Sequence, residues 1–196
     1  MRKIVFATSN PHKLEELRAI CKSKSDIEFV LPPSDFNPDE CGKTFEENSR
    51  IKAQEAARIS GLPALADDSG LCVDALNGAP GIYSARYAET PQKRIDKLLE
   101  ALQGTQTRTA KFVCAMTLTN ENGEVLFQCV GECKGEIATV QSGENGFGYD
   151  PIFIVEGKGV TMADLPEDEK NKISHRAKAL EQIIAWLNTR CKNAKN

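Results

Sequence analysis

The chain has only two histidines, and its seven cysteines, at 21, 41, 72, 114, 129, 133 and 191, never fall in a Cys-x-x-Cys spacing. Cys129 and Cys133 are the closest pair, and neither has a histidine nearby. Zinc centres are built from such clusters, so the composition argues against one. An odd, scattered set of cysteines fits best with a reducing compartment, and the expectation is a cytoplasmic protein. No apolar run is long enough to cross a bilayer, and the one at residues 4–7 is too short for the core of a secretory signal. A net charge of -3 argues against general binding to a nucleic-acid polymer through a broad basic surface. There is no Walker sequence, no repeat and no low-complexity linker.

What is present suits one domain or two closely joined lobes: 196 residues, 40% hydrophobic and 27% charged. Residues 3–7 read as a short buried strand. Asn10 and Pro11 then open a helix whose Leu14, Leu17 and Ile20 share a face. Thr44 and Glu47 match a capping box, and the helix they open stops at Gly61. Thr90-Pro91 starts another helix, with Gly104 beyond its end. Alternation from Ala110 to Leu118 predicts a strand, and Asn122-Gly123 a hairpin turn into a strand at residues 125–130. Further strands are expected at 137–140 and 152–155, and a closing helix presents Ala177, Leu180, Ile184 and Leu187. Helices alternating with strands around a central hairpin predict an α/β architecture with a mixed sheet.

Several charges sit where local rules disfavour them. Lys13 lies in the first turn of its helix, where the dipole favours anions. It is either a solvent-facing lysine that tolerates a small cost or part of an anion site with Thr8, Ser9 and Asn10. Lys52 lies beside an apolar helix face, and Glu40 in a loop between Pro38 and Gly42, free to serve as an oxygen ligand. In Gly146-Phe147-Gly148-Tyr149-Asp150-Pro151, glycines surround two aromatics. That pattern suits a tight turn, or a loop whose ring stacks on a planar ligand while Asp150 accepts hydrogen bonds from its edge. Beyond Lys170, Ser174 reads as an N-cap, so His175 and Arg176 again place cations in a first turn. Finally, Ala66-Asp67-Asp68-Ser69-Gly70 interrupts an apolar run with two acids. It is either a strand end in a polar turn or a pair of oxygen ligands at a strand's carboxyl edge. Together these features favour an anionic, planar ligand with a metal, which describes a nucleotide.

At these residues the chain resembles the inosine triphosphate pyrophosphatase family. The matching segments are Ala7-Thr8-Ser9-Asn10-Pro11-His12-Lys13, Thr44-Phe45-Glu46-Glu47-Asn48, Ala66-Asp67-Asp68-Ser69-Gly70-Leu71, the Gly78 to Tyr87 run, Gly146 to Pro151 and Ser174-His175-Arg176. The resemblance implies one pyrophosphatase domain over residues 1–196. It would have two α/β lobes, a central twisted mixed sheet flanked by helices and an active-site cleft between the lobes, usually as a homodimer. It implies Mg²⁺-dependent hydrolysis of deaminated purine nucleoside triphosphates (dITP, ITP, XTP) to monophosphate and pyrophosphate. Asp68 is then the expected general base, with Glu40, Asp68 and Asp67 on the metal side. Thr8, Ser9, Asn10, Lys13, Lys52, Ser69 and Lys170 are expected at phosphates or sugar. Phe147, Gly148, Tyr149, Asp150, His175 and Arg176 are expected at the base.

Asp68 would accept a proton from water attacking the α-phosphorus, or position a hydroxide on the metal. Neighbouring side chains on a strand point to opposite faces, so Asp67 shares a metal with Asp68 only if the strand breaks at Ser69-Gly70. Donors from His175 or Arg176 to the purine O6, with Asp150 accepting from N1–H, would reject adenine. Two other readings compete. A pyrophosphatase of the septum-formation-inhibitor-like family would prefer dTTP or a methylated nucleotide. A non-catalytic nucleotide sensor would bind without needing Asp68.

Overall fold

The computed structural model describes residues 2–21 and 27–193. Six strands form one sheet in the order β2-β1-β3-β4-β5-β6. They are β1 (Arg2–Phe6), β2 (Ile27–Val30), β3 (Ala64–Val73), β4 (Thr109–Thr119), β5 (Val125–Ile137) and β6 (Phe153–Val155). β1 is parallel to β2 and β3, whereas β5 and β6 are antiparallel, so the sheet is mixed. The chain divides into two compact units, Met1–Asp68 with Cys114–Gly131 and Arg176–Asn196, and Ser69–Val113 with Glu132–His175.

In the first unit, β1 is buried on both faces. Ile4 and Phe6 join Leu14 and Leu17 of α1 (Pro11–Cys21) and Leu180 and Ile183 of α5 (His175–Asn193). Val5 and Ala7 instead join Ala53, Ala56 and Ala57 of α2 (Phe45–Ser60), whose small side chains let it pack closely. Parallel strands covered on both sides read as continuous apolar runs, as β1 does. The helix starts follow their caps. Asn10 Oδ1 accepts from the His12 N–H at 3.0 Å, and Thr44 Oγ1 from the Glu47 N–H at 3.1 Å. Gly61, at φ 63°, closes α2 in the left-handed conformation glycine adopts freely.

The second unit contains α3 (Pro91–Ala101) and α4 (Glu167–Ile173). Its core gathers Leu71, Val73, Ile95, Leu98, Phe112, Ile152 and Phe153. Thr90 caps α3 as its sequence predicts.

Three strand expectations need correction. β3 does not end at the acidic pair but continues through Ser69 and Gly70 to Val73, because it lies inside the sheet between β1 and β4. The strand expected at 137–140 is instead the end of β5. There Arg108 Nε and Nη2 donate to the carbonyls of Ile137 (2.6 Å) and Ala138 (2.9 Å), and the chain leaves the sheet with Val140 exposed. Ile152 closes a short 3-10 turn, and β6 begins only at Phe153.

Candidate active site

The unbroken course of β3 sends Asp67 and Asp68 into different surroundings. Asp67 is 1% exposed. Its Oδ2 accepts from Lys13 Nζ at 2.9 Å and from Arg176 Nε and Nη2 at 3.3 and 2.9 Å. Arg176 Nη1 also donates to Glu16 Oε2 at 2.5 Å, which completes a set of two acids and two cations, buried except for the half-buried Lys13. The Cys114 thiol lies 4.0 Å from the same Asp67 oxygen, and burial raises its pKa. Burial is also the largest influence on Asp67 and acts to raise its pKa. The charges of Lys13, Arg176 and Lys52 together outweigh it and hold the carboxyl well below the usual range. Lys13 thus tolerates a helix's first turn because a carboxylate from β3 meets it there.

Asp68 has different partners. Its Oδ1 accepts from Lys52 Nζ at 2.9 Å and its Oδ2 from Asn48 Nδ2 at 3.2 Å. The same Lys52 Nζ lies 3.4 Å from Glu40 Oε2, so two carboxylates converge on one ammonium. Burial works against the charge on Lys52, but Asp68, Asp67 and Glu40 outweigh it and raise its pKa. For Asp68, burial pushes the pKa up and Lys52 offsets this only in part, leaving it above the ordinary aspartate value. A carboxylate with a raised pKa is suited to accept a proton near neutral pH.

Thr8, Ser9 and Asn10 form the turn from β1 into α1, where the Asn10 N–H donates to Thr8 Oγ1 at 3.1 Å. Thr8 is buried and Ser9 exposed. This turn, the start of α1 and Lys13 make a stretch rich in donors. Ser69 follows Asp68 on β3.

In the second unit, residues 146–150 wrap around one carboxylate. Asp150 Oδ2 accepts from the Phe147 N–H at 2.8 Å and from Lys170 Nζ at 2.6 Å. The Lys170 ammonium also lies 4.8 Å from the Phe147 ring centroid. Gly146, at φ 77°, has no room for a side chain, since a Cβ there would stand 2.1 Å from Asp150 Oδ2. Gly148 also has a positive φ, 66°. The two aromatics differ. Tyr149 is buried, with its hydroxyl donating to the Ser84 carbonyl at 3.0 Å, whereas Phe147 is only half-buried and keeps part of its ring accessible. His175 is buried and stacks on Phe112, with ring centroids 4.9 Å apart.

The expected residues therefore assemble as three groups: Glu40, Lys52 and Asp68; Lys13, Asp67 and Arg176; Phe147, Asp150 and Lys170. Asp67 is not drawn to Glu40, and among the described residues no group of three His, Cys, Asp or Glu side chains is arranged to hold a metal ion. Arg176, expected at the base, is engaged by Asp67 and Glu16. The sequence assigned no site role to Glu16, to Asn48, although it ends a matching segment, or to Phe112, read only as a strand residue. Two carried a periodic signal: Glu16 stands four residues before the buried Ile20, and Asn48 four before Lys52. A cavity of about 550 Å³ in the second unit, walled in part by Asp74, Lys111, Lys134 and Glu136, contains none of the expected residues. Its Lys111 already pairs with Glu132 at 2.7 Å.

Residues 4–186 match the model of the Ham1 family. A dITP/XTP pyrophosphatase of Coxiella burnetii is 48% identical over 196 residues, covering 95% of this chain and 97% of that protein. A dITP/XTP pyrophosphatase of a Nostoc species is 44% identical, covering 92% of each. A solved structure of a HAM1 protein from Coxiella burnetii superposes with a TM-score of 0.87 at 46% identity, covering 96% of this chain and all of that one.

Proposed function

This chain belongs to the Ham1 family, and we propose that residues 1–196 act as one catalytic domain that hydrolyses dITP, ITP and XTP to the monophosphate and pyrophosphate. The activity is that of a nucleoside triphosphate pyrophosphatase, as in relatives that match it along nearly their whole length. Asp68 is the general base. The observation that carries this role is its placement: buried, with a raised pKa, one oxygen on Lys52 and the other on Asn48.

Glu40 and Asp68 are the residues that would hold Mg²⁺. The Lys52 ammonium already occupies the point where their oxygens converge, so a cation suits that position. Mg²⁺ commonly takes one or two carboxylates and completes its shell with phosphate oxygens and water, which this pair fits. When bound, it supplies charge that offsets the phosphates and polarises the α-phosphoryl group. Since β3 does not break, Asp67 serves instead to hold Lys13 and Arg176 in place.

The chain's own residues do the rest. Lys13, Lys52 and Lys170 each rest on an aspartate, Asp67, Asp68 and Asp150 respectively. On substrate binding, Lys52 moves its charge onto a phosphate oxygen and releases the Asp68 carboxylate to take a proton from the attacking water. Thr8, Ser9, Asn10 and the start of α1 supply further donors to phosphate, and Ser69 and Lys170 hold phosphate or sugar. The base is held by Phe147, Gly148, Tyr149, Asp150 and His175, with Arg176, its guanidinium kept by Asp67 and Glu16, supporting His175 from the next position of α5. Of these, Phe147 offers the accessible ring, and Tyr149 stiffens the loop beneath it. Donors to O6 and an acceptor for N1–H disfavour adenine, and an unmatched buried pair is worth a factor of about 10⁴. The protein works as a cytoplasmic homodimer.

The test is pyrophosphate release from dITP, dGTP, dATP and dTTP with Mg²⁺, for wild type and Asp68→Asn. We expect selectivity for dITP and a loss of about 10²- to 10⁴-fold in kcat for Asp68→Asn with binding retained. Preference for dTTP would point to the septum-formation-inhibitor-like chemistry. Tight dITP binding without turnover would identify a sensor.

A further inference from the structure

We propose that Asn48 is a positioning residue that fixes the orientation of Asp68 and ties it to the loop carrying Glu40, a role that rests on the pyrophosphatase reading above. Asn48 is 0% exposed and stands in the first turn of α2, one turn before Lys52. Its carboxamide is used at both ends. Nδ2 donates to Asp68 Oδ2 at 3.2 Å, and Oδ1 accepts from the Gly42 N–H at 2.9 Å. Gly42 lies two residues after Glu40, so a single side chain spans from the base to the segment that presents the second carboxylate.

The chemistry of this bridge is specific. A carboxamide has one donor end and one acceptor end, and here each faces its complement. The acceptor side is also closely fitted, since a Cβ on Gly42 would lie 2.6 Å from Asn48 Oδ1. With Lys52 on one Asp68 oxygen and Asn48 on the other, the carboxylate cannot turn without breaking a buried hydrogen bond. Releasing Lys52 to a phosphate leaves Asn48 holding Asp68 at the moment it acts as base. Asn48 therefore contributes orientation, and its loss should appear in kcat more than in KM.

Two substitutions separate the ends of the bridge. Asn48→Asp keeps an acceptor for the Gly42 N–H and removes the donor to Asp68. Asn48→Ala removes both. Kinetics with Mg²⁺ and dITP are measured alongside amide hydrogen exchange over residues 39–44. We expect Asn48→Asp to lower kcat about 100-fold, with KM within about threefold and exchange at Gly42 near the wild-type rate. Asn48→Ala should lower kcat and also accelerate exchange at Gly42. A kcat for Asn48→Asp close to wild type, or exchange unmoved in Asn48→Ala, would overturn the proposal. If wild type releases no pyrophosphate from dITP, the pyrophosphatase reading itself fails. Exchange then decides the tether alone: acceleration in Asn48→Ala upholds it, and an unchanged rate overturns it.

Discussion

Asp67 and Asp68 are the same residue type on consecutive positions of one strand, yet the fold uses them in opposite ways. Asp67 is surrounded by Lys13 and Arg176, which hold its pKa down despite complete burial. Asp68 is less deeply buried, with Lys52 resting on it and Lys13 adding a further favourable charge, yet burial prevails, so its pKa rises. What separates them is the number of cations within reach rather than the depth of burial. A carboxylate held ionised by two partners anchors its surroundings. One kept slightly uncomfortable in its charged form has something to gain by accepting a proton. Paired groups pushed apart in this way support the proposed division between Asp67 as a structural acid and Asp68 as a reacting one.

The comparison can be broken by neutralising each acid in turn. Asp67→Asn leaves the buried Arg176 and the half-buried Lys13 without their shared carboxylate, and losing one partner of such a set costs about 3–5 kcal/mol. Differential scanning should then show Tm falling by roughly 10 °C; a fall of only a degree or two would mean that Glu16 alone suffices for Arg176. A smaller effect lies in the acid range. Asp67 has a folded pKa below its unfolded value, so the stability it contributes is present above about pH 4 and is lost as pH falls towards the folded value. The Tm of the wild type should drop more steeply between about pH 5 and about pH 3 than that of Asp67→Asn. Parallel slopes would mean that Asp67 does not carry this linkage.

The smallest effect has the opposite sign. Asp68 has a folded pKa above its unfolded value, so its contribution is present at low pH and is lost as pH rises through the folded value. At neutral pH the charged group is a burden on the fold, and Asp68→Asn should raise Tm by about 2 °C while lowering kcat about 10²- to 10⁴-fold. A clear loss of stability would place Asp68 among the anchoring acids.

Features with a local cause were legible in the chain. Asn10, Thr44 and Thr90 cap the helices they were expected to cap, because capping involves residues two or three positions apart. Lys52 stands out beside an apolar helix face and Glu40 in a loop free to offer an oxygen, and both meet Asp68 or its lysine. Features decided by distant partners were not legible. Arg176 reads as a cation in a first turn, yet its guanidinium is held by Glu16, 160 positions away. The continuity of β3 through Ser69-Gly70 depends on its place inside the sheet, which overrides the turn propensity of those residues. β2 gave no alternation to detect: only Phe29 of its four residues is buried.

The alternation of β3 also makes the spacing of its codons a chemical specification. Val5 and Phe6 of β1 pair with Ala64 and Leu65, which fixes the strand's entry point. Inserting one residue after Leu65 would move Asp67 into the place facing Lys52 and give Lys13 and Arg176 an alanine instead. A carboxylate would remain in the place of the proposed base, beside two stranded cations. Deleting one residue would have the converse result: Asp68 would satisfy Lys13 and Arg176, and Ser69 would stand in the place of the proposed base. Either frame keeps two acids in the sequence, and only the present one supplies both positions at once.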